Sequence, residues 1–344
     1  MAGEGLAVTN DIGMRMSGRT PMNYRVAAMA CSVAVSFLAA APVDAQVSAL
    51  PPETQQVIDA VGPAWATNLP ANINRIIDSF RPLLGAAQKD GVQITKGIGY
   101  GSNPKQILDV YQPVGRTGVP VVIYIHGGAY VRGDKDAFGV MYGNIPTWFA
   151  RQGLLGINAT YRLAPAAPWP AGAEDVGGMV RWAKENALKY GGDPNRVYLI
   201  GHSAGATHAA TYIFDKTRQP TDGPGVAGAV LMSGRYWLEF DPKDPNGANM
   251  QAYFGKDPAE YPNRSPITHI ATSKVPVFIV ISEYENPGLD VSGAKLLSAL
   301  CARDGKCPRF MRLSHHNHVS EVAAFNTADV ELGQAILEFI ERGR

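Results

Sequence analysis

Short apolar runs separated by longer mixed segments dominate the chain from residue 92 onward. The runs VVIYI and VFIVI are continuous rather than alternating, which is typical of parallel strands buried on both faces of a sheet. The segments between the later runs are long enough for the helical crossovers that parallel strands require. The pattern predicts eight strands, at residues 92–100, 106–111, 120–125, 154–159, 197–200, 226–232, 275–281 and 309–313.

The segments between these strands predict the fold class. Strands that alternate with helices favour an α/β architecture, a doubly wound and mostly parallel eight-stranded sheet with helices on both faces. The helices are predicted at residues 171–190, 204–216, 289–302 and 320–342.

Two segments do not fit into this alternation. Residues 71–84 carry apolar side chains at helical spacing and predict an amphipathic helix that must cover another surface. Residues 235–272 are rich in Pro, Asp, Asn and Gly with interspersed aromatic residues, and they are too long for a simple connection. We therefore expect one large domain over residues 46–344, with 46–90 and 235–272 as candidate segments of a small cap.

Composition narrows the classes of function. Of the 344 residues, 46% are hydrophobic and 18% charged, as in ordinary globular proteins. The 31 basic and 30 acidic residues leave a formal net charge of +1, so no basic surface favours a nucleic acid or an anionic membrane as partner. We expect a small, largely uncharged substrate.

The N-terminus resembles an export signal. From Met22, a short polar stretch with Arg25 leads into the apolar run of residues 26–41. Val43-Asp44-Ala45 then offers a small-x-small site for cleavage before Gln46. Residues 1–45 are thus interpreted as an extension upstream of Met22 plus a cleaved signal peptide, and the mature protein as periplasmic or secreted with no membrane segment.

Two other interpretations of the same run stay open. Residues 26–41 could form a buried or membrane helix, although the run is short for a span. Cys31 could be the acylated residue of a lipoprotein, although the residues before it fit that signal poorly. Export to an oxidising compartment would let the remaining two cysteines, Cys301 and Cys307, form a disulfide, with two free thiols as the alternative.

A nucleophile elbow follows the predicted strand 197–200. The sequence Gly201-His202-Ser203-Ala204-Gly205 has the G-x-S-x-G form and opens a predicted helix. In a glycine-rich chain the motif alone could be an ordinary turn, and the flanking strand and helix are what favour catalysis. Ser203 is the candidate nucleophile.

A second glycine-rich turn follows the strand 120–125. His126-Gly127-Gly128-Ala129-Tyr130 offers backbone N–H groups that are free of secondary structure, as an oxyanion hole requires. We assign its donors to the N–H groups of Gly128, Ala129 and Ala204. His126 is then expected to anchor the loop.

Several motifs occur in one order: DVYQP, VVIYIHGGAYVRGDK, TYRLAPAAPWPAGAEDV and RVYLIGHSAGA, followed by an acid and a late His. This order resembles the hormone-sensitive-lipase-like and feruloyl-esterase-like (BD-FAE type) carboxylesterases, with kynurenine formamidases as relatives. The resemblance covers about residues 92–340 and implies the α/β-hydrolase fold. The sequence departs from the family at HGGAY, where many relatives have a third Gly, and before Tyr161, where many have Asp.

The resemblance also implies the catalytic base. The family orders its triad Ser, acid, His, and its pattern ends with an Asn-His pair, which matches Asn317-His318. His318 is therefore the expected base, with His316 as the alternative. Clustered histidines could instead bind zinc, but no carboxylate or Cys accompanies them, so no metal is expected. His202 is expected to lie on the turn beside the nucleophile and to point away from the site, and His208 and His269 are interpreted as surface or packing residues.

The catalytic acid must lie on the turn after the strand 275–281 to reach the base. Glu283, Glu285 and Asp290 compete for this role. The related esterases carry a Gly-Glu-x-Asp-Pro type of sequence here, and Ser282 to Pro287 matches it with Glu285 in the position of the Asp. Glu285 is the expected acid, with Asp290 as the main alternative.

Together these residues predict a serine carboxylesterase that hydrolyses small or short-chain esters through an acyl-serine intermediate, with no cofactor. Cleavage of another acyl bond, in an arylformamide, thioester or lactone, is the alternative within enzymes. A binding protein on a hydrolase scaffold is the alternative outside them, and the intact Ser, acid and His set disfavours it.

Overall fold

The computed structural model describes residues 49–343. The predicted signal peptide, Cys31 and the cleavage position before Gln46 lie outside the described residues. None of the helices within residues 49–343 combines the length and the apolar character that crossing a membrane would need.

A single eight-stranded sheet forms the centre of the described chain and confirms the predicted fold class. Its order is β1-β2-β4-β3-β5-β6-β7-β8, with β2 antiparallel to both neighbours and the remaining pairs parallel. The strands are β1 (Val92–Gly99), β2 (Ile107–Pro113), β3 (Val119–Ile125), β4 (Leu155–Ala159), β5 (Gly192–His202), β6 (Gly228–Met232), β7 (Val277–Tyr284) and β8 (Arg309–Asn317).

Each predicted strand is present, and several extend beyond the predicted bounds. β5 begins five residues early at Gly192, which pairs with Val119 of β3. β7 continues to Tyr284 and β8 to Asn317, so His315 and His316 lie within β8 and His318 directly follows it.

The helices within the described chain are α1 (Pro52–Val61), α2 (Leu69–Ala86), α3 (Met141–Arg151), α4 (Ala171–Asn186), α5 (Ala204–Phe214), α6 (Gly247–Phe254), α7 (Tyr261–Arg264), α8 (Leu289–Asp304), α9 (Ser320–Ala323) and α10 (Glu331–Arg342). The helix predicted over 320–342 is in fact two helices, separated by a turn in which Asn326 has a φ of 62°. Only α9 follows the end of β8 directly.

Sequence periodicity missed α1 and α3, as well as the short helices α6 and α7 within residues 235–272. Nearly every residue of α3 is buried, and Pro146 lies inside it, so it has no polar face from which a period could be detected. α3 packs between the sheet and α2, where the side chain of Asn144 donates to the carbonyl of Leu84 at 3.2 Å.

The apolar face of α2 lies in the main hydrophobic core on one side of the sheet. Ile76 and Phe80 are fully buried there with Trp148 and Phe339. The part of the N-terminal segment that approaches the carboxyl end of β7 is the 3-10 stretch Gly62–Asn68.

Residues 235–272 form a chain of short helices instead of an open loop. Their buried side chains, among them Tyr253 and Phe254, make a separate small core with Tyr130 and Ala204. This segment therefore packs directly on the glycine-rich turn after β3 and on the start of α5.

Cys301 and Cys307 form a disulfide between the last turn of α8 and the start of β8. The pairing expected from the sequence is thus present in the structure.

Candidate active site

Ser203 lies on a sharp turn between β5 and α5. Its backbone has φ 56° and ψ −120°. Residues other than Gly rarely adopt this backbone conformation, and those that do are concentrated at functional sites. The turn depends on glycines at both sides. A Cβ at Gly201 would lie 2.6 Å from the carbonyl oxygen of Gly205, and one at Gly205 would lie 2.2 Å from that of Ile125. The strained elbow expected from the sequence is present.

His318 and Glu285 meet beside this turn. Nδ1 of His318 lies 2.9 Å from Oε2 of Glu285, and both side chains are almost fully buried. Because a carboxylate accepts, Nδ1 carries the hydrogen, and Nε2 keeps a lone pair that can accept a proton. The expectation that His202 points away from the site is wrong, because its ring packs 4.6 Å from that of His318. The base therefore lies next to the residue that precedes Ser203.

Glu285 is held as a carboxylate by several donors. Its Oε1 accepts hydrogen bonds from the backbone N–H of Ser282 at 2.8 Å and from the hydroxyl of Ser233. Burial acts to raise the pKa of Glu285, but the charge of His318 and these hydrogen bonds hold it below its ordinary value. The charge and the hydrogen bond of Glu285 in turn raise the pKa of His318, although burial acts to lower it.

The competing carboxylates point elsewhere. Glu283 accepts a hydrogen bond from the backbone N–H of His315 at 2.8 Å and lies 3.4 Å from Arg312. Asp290 is exposed in the first turn of α8, where it accepts from the N–H of Val291. Among the described residues, neither is recorded in a contact with His318.

The competing histidines are also separated. His316 faces the opposite way along β8 and bonds to Asp329 at 2.9 Å through Nε2 and to Ser320 at 3.1 Å through Nδ1. His315 lies on the surface, 3.8 Å from Asp59. The cluster therefore does not converge on a common point, as a zinc site made of these three histidines would require.

The glycine-rich turn after β3 passes over the nucleophile. A Cβ at Gly127 would lie 3.0 Å from the Cβ of Ser203. Gly128 and Ala129 have φ values of 140° and 49°, and within residues 49–343 their N–H groups donate no backbone hydrogen bond. Together with the N–H of Ala204, the residue after the nucleophile, they remain the expected donors of an oxyanion hole.

His126 anchors this turn from below. It is fully buried, its Nδ1 lies 2.6 Å from the carbonyl of Gly127, and its ring stacks 4.4 Å from that of Tyr161. The hydroxyl of Tyr161 donates to the carbonyl of His126 at 3.0 Å. Burial lowers the pKa of His126 to about 4, so it is neutral at physiological pH.

Two family models match the chain. The model described as BD-FAE matches residues 108–223, and the model described as Alpha/beta hydrolase domain matches residues 173–335. Together they include the glycine-rich turn, Ser203, Glu285 and His318. The chain is therefore similar in sequence to α/β hydrolases over residues 108–335, and its sheet has the α/β-hydrolase fold.

Curated relatives of this chain include esterases. The carboxylesterase NlhH of Mycobacterium tuberculosis is 37% identical over 140 residues, which cover 39% of this chain and 41% of the relative. A probable isoprenylcysteine alpha-carbonyl methylesterase of Oryza sativa subsp. japonica is 34% identical over 164 residues, covering 47% and 34%. The chain therefore spans less than half of the length of each of these relatives.

Solved esterase structures share the fold. An esterase of Pyrobaculum calidifontis superposes with a TM-score of 0.65 at 22% identity, over 85% of this chain and 98% of that one. Esterase B from Lactobacillus Rhamnosis gives 0.65 at 18% identity, over 85% and 96%.

Sequence reasoning missed several residues that support the site. Lys135 forms a buried ion pair with Asp109 at 2.9 Å, which ties the segment after the glycine-rich turn to β2. Ser233, at the carboxyl end of β6, donates to Glu285. Trp65 donates from Nε1 to Oδ1 of Asn286 at 2.9 Å. The N-terminal segment thereby contacts the turn that carries Glu285. Only Asp109 and Lys135 lay in motifs that the sequence had marked.

Proposed function

We propose that this hydrolase is a serine carboxylesterase that acts on small or short-chain esters. The observation that carries the proposal is the buried pair of His318 and Glu285 next to Ser203 on its strained turn, under the free N–H groups of Gly128 and Ala129. The esterase names of the curated relatives support the same reaction.

The reaction follows from the atoms in place. Oγ of Ser203 attacks the ester carbonyl carbon while its proton moves to Nε2 of His318, and the imidazolium that forms is stabilised by Glu285. The oxyanion accepts hydrogen bonds from the N–H groups of Gly128, Ala129 and Ala204. Nε2 then gives its proton to the leaving alkoxide. Water attacks the acyl-serine with His318 as base again, and the acid is released.

The size of the acyl group is proposed from the segment 235–272. Tyr253 stacks on Tyr130 with ring centroids 5.0 Å apart, and Phe254 meets the edge of the same ring at 5.0 Å. Tyr130 is the last residue of the glycine-rich turn, so this aromatic group lies beside the expected oxyanion position. We infer that this packing limits the acyl group to short or aromatic acids and disfavours long chains.

A panel of p-nitrophenyl esters with acyl chains of two to sixteen carbons, run beside an arylformamide, tests the proposal. We expect the highest kcat/KM on the shortest esters and little activity on the arylformamide. An arylformamide preferred over every ester would move the assignment to another acyl bond, and a maximum at long chains would overturn the proposed acyl size.

The oxyanion assignment predicts the effect of Gly128→Ala. A Cβ at this position would lie 1.9 Å from the carbonyl oxygen of Arg132, so the turn must shift and the donors move with it. We expect kcat to fall by at least about 100-fold, the scale of one lost oxyanion donor. Gly139→Ala is the matched control, because Gly139 also has a positive φ, 73°, but has open space around its Cβ position. Equal losses in the two variants would contradict the assignment.

The pKa of His318 predicts the pH profile. Only neutral His318 can accept the serine proton, so kcat/KM falls as the pH drops through this pKa. Because Glu285 raises it against the opposing effect of burial, the midpoint of the acid limb should lie above the ordinary imidazole value of about 6.5. Measuring kcat/KM on one ester from pH 4 to 10 checks this, and a midpoint below 6 would contradict it.

We also propose that the protein is exported to an oxidising compartment. The Cys301–Cys307 disulfide and the apolar run of residues 26–41 before a small-x-small site support this. Intact-mass analysis of protein from its native cells should find Gln46 as the first residue and no free thiol before reduction. A retained Met1 or Met22, or two thiols that alkylate without reduction, would contradict export.

A further inference from the structure

A second buried carboxylate lies behind the proposed catalytic histidine. Glu321, on α9, is fully buried three residues after His318. Its Oε1 lies 3.0 Å from Nε2 of His202, and its Oε2 accepts a hydrogen bond from the hydroxyl of Ser282 at 2.8 Å. Neither Glu321 nor His202 has a place in the reaction as derived above, yet both occupy the centre of the site.

His202 connects this carboxylate to the base. The same Nε2 atom lies 2.9 Å from the backbone carbonyl oxygen of His318, and the two rings pack with centroids 4.6 Å apart. A carbonyl oxygen can only accept, so Nε2 of His202 carries the hydrogen and donates it to His318. Glu321 then stabilises this tautomer, as carboxylates do for imidazole N–H groups.

The three side chains also resemble a set of metal ligands, since ligand-type atoms of His202, His318 and Glu321 lie within 4.8 Å of one another. The bonding already present disfavours that use. Nε2 of His202 carries a hydrogen, and Nδ1 of His318 is bonded to Glu285 at 2.9 Å. The geometry is that of a hydrogen-bond network.

The backbone around His318 is also fixed by hydrogen bonds of its own, since the N–H of His318 donates to the carbonyl of Tyr284 at 3.1 Å. Asn317 accepts hydrogen bonds from the N–H groups of Val319 and Ser320, each at 3.0 Å, and so ties the start of α9 to the end of β8. These contacts hold the backbone on the far side of His318 from Glu285. The carbonyl of His318 itself is bonded to His202 alone among the side chains of the described residues.

We propose that Glu321 and His202 form a positioning pair that sets the orientation and proton affinity of His318. This inference rests on the proposed function, because it assigns to the pair a role in activating the same nucleophile. Two carboxylates then act on His318: Glu285 directly at Nδ1, and Glu321 through His202 and the backbone carbonyl of His318. The titratable groups that face His318 are Glu285 from the turn after β7, Glu321 from α9 and His202 from β5.

Electrostatics support this arrangement. The negative charge of Glu321 adds to the larger effect of Glu285 in raising the pKa of His318. A buried charge acts strongly here because water is excluded from its surroundings.

Glu321→Gln tests the proposal. Glutamine keeps the shape and can bond both His202 and Ser282, so the variant removes the charge with little change in packing. The rate constant for phosphonylation of Ser203 by an alkyl fluorophosphonate should fall by about tenfold, which corresponds to about 1.4 kcal/mol of activation free energy. The acid limb of its pH dependence should move to lower pH.

Asp329→Asn is the matched control. It removes a carboxylate bonded to another buried histidine of the same strand, His316, which does not contact Glu285. Whatever the melting temperature of this variant, the acid limb of its pH dependence should stay where the wild-type limb is. If Glu321→Gln also leaves both the rate constant and the acid limb unchanged, the proposal is wrong.

His202 variants provide an independent test. Gln can present its side-chain N–H near the position of Nε2, whereas Leu cannot donate. His202→Gln should therefore recover most of the rate that His202→Leu loses, and the double variant His202→Leu with Glu321→Gln should be no slower than His202→Leu, because the two residues act as one unit. Additive losses, or equal rates for the Gln and Leu variants, would overturn the pairing.

The phosphonate separates this proposal from the ester assignment. Its reaction depends on the activation of Ser203 and not on which acyl bond the enzyme cleaves. A wild-type protein that reacts with the phosphonate but hydrolyses no ester would overturn the ester proposal and leave the comparison of variants valid. A wild-type protein that does not react would overturn both.

Discussion

Ser203→Ala should lower kcat/KM on the best ester of the panel by about 10⁴- to 10⁶-fold. The reason is that Ala204, Gly128 and Ala129 can still bind a carbonyl oxygen, but no atom remains to form the acyl intermediate. The fold should be unaffected, because Ala fits the half-buried position and loses only the hydroxyl. Steady-state kinetics with enough enzyme to detect the residual rate would measure the loss.

The control for this variant is its stability. The backbone at position 203 has φ 56°, which costs Ala about as much strain as Ser. The melting temperature of the variant should therefore match that of the wild type. A variant that keeps its melting temperature and more than a tenth of the wild-type kcat/KM would show that another group is the nucleophile.

Glu285→Gln should lower kcat by about 10²- to 10⁴-fold with a small effect on KM. The amide can still occupy the site beside Ser282 and Ser233, but it cannot stabilise the imidazolium of His318, and it can present N–H where Nδ1 needs an acceptor. Because the charge that raises the pKa of His318 is lost, the acid limb should also move to lower pH.

Glu283→Gln and Asp290→Asn are matched controls for this prediction. Both remove a carboxylate from the same turn region, but Glu283 faces Arg312 and Asp290 lies exposed on α8. Each should keep a kcat close to that of the wild type. If Asp290→Asn lost activity and Glu285→Gln did not, Asp290 would be the acid.

The parts of the fold that follow from local sequence were predictable. Continuous apolar runs predicted central strands such as β3 and β7, and the elbow at Ser203 was visible because glycines at 201 and 205 are required by close backbone packing. The helix α3 was not visible, since it is buried on all sides and so has no hydrophobic period. Hydrophobic periodicity identifies a helix that has one face in the core and one face in solvent, and α3 has no solvent-facing side.

Within the site, the residues on strand ends were easier to predict than their partners. Ser203, Glu285 and His318 follow β5, β7 and β8 in the chain and meet because the carboxyl ends of parallel strands lie at one edge. Glu321 and Trp65 carry no such signal. Trp65 reaches the acid turn across 221 residues of sequence, a contact that no local pattern encodes.

In the proposed reaction, Ser203 is a nucleophile that His318 and Glu285 activate. Labelling the wild-type protein with a fluorophosphonate, followed by proteolysis and tandem mass spectrometry, tests it most directly. One equivalent should be incorporated, all of it on Ser203, and none should be incorporated by Ser203→Ala or at pH 4, where His318 is protonated. Label on any other residue, or unchanged labelling of the Ser203→Ala variant, would contradict the account.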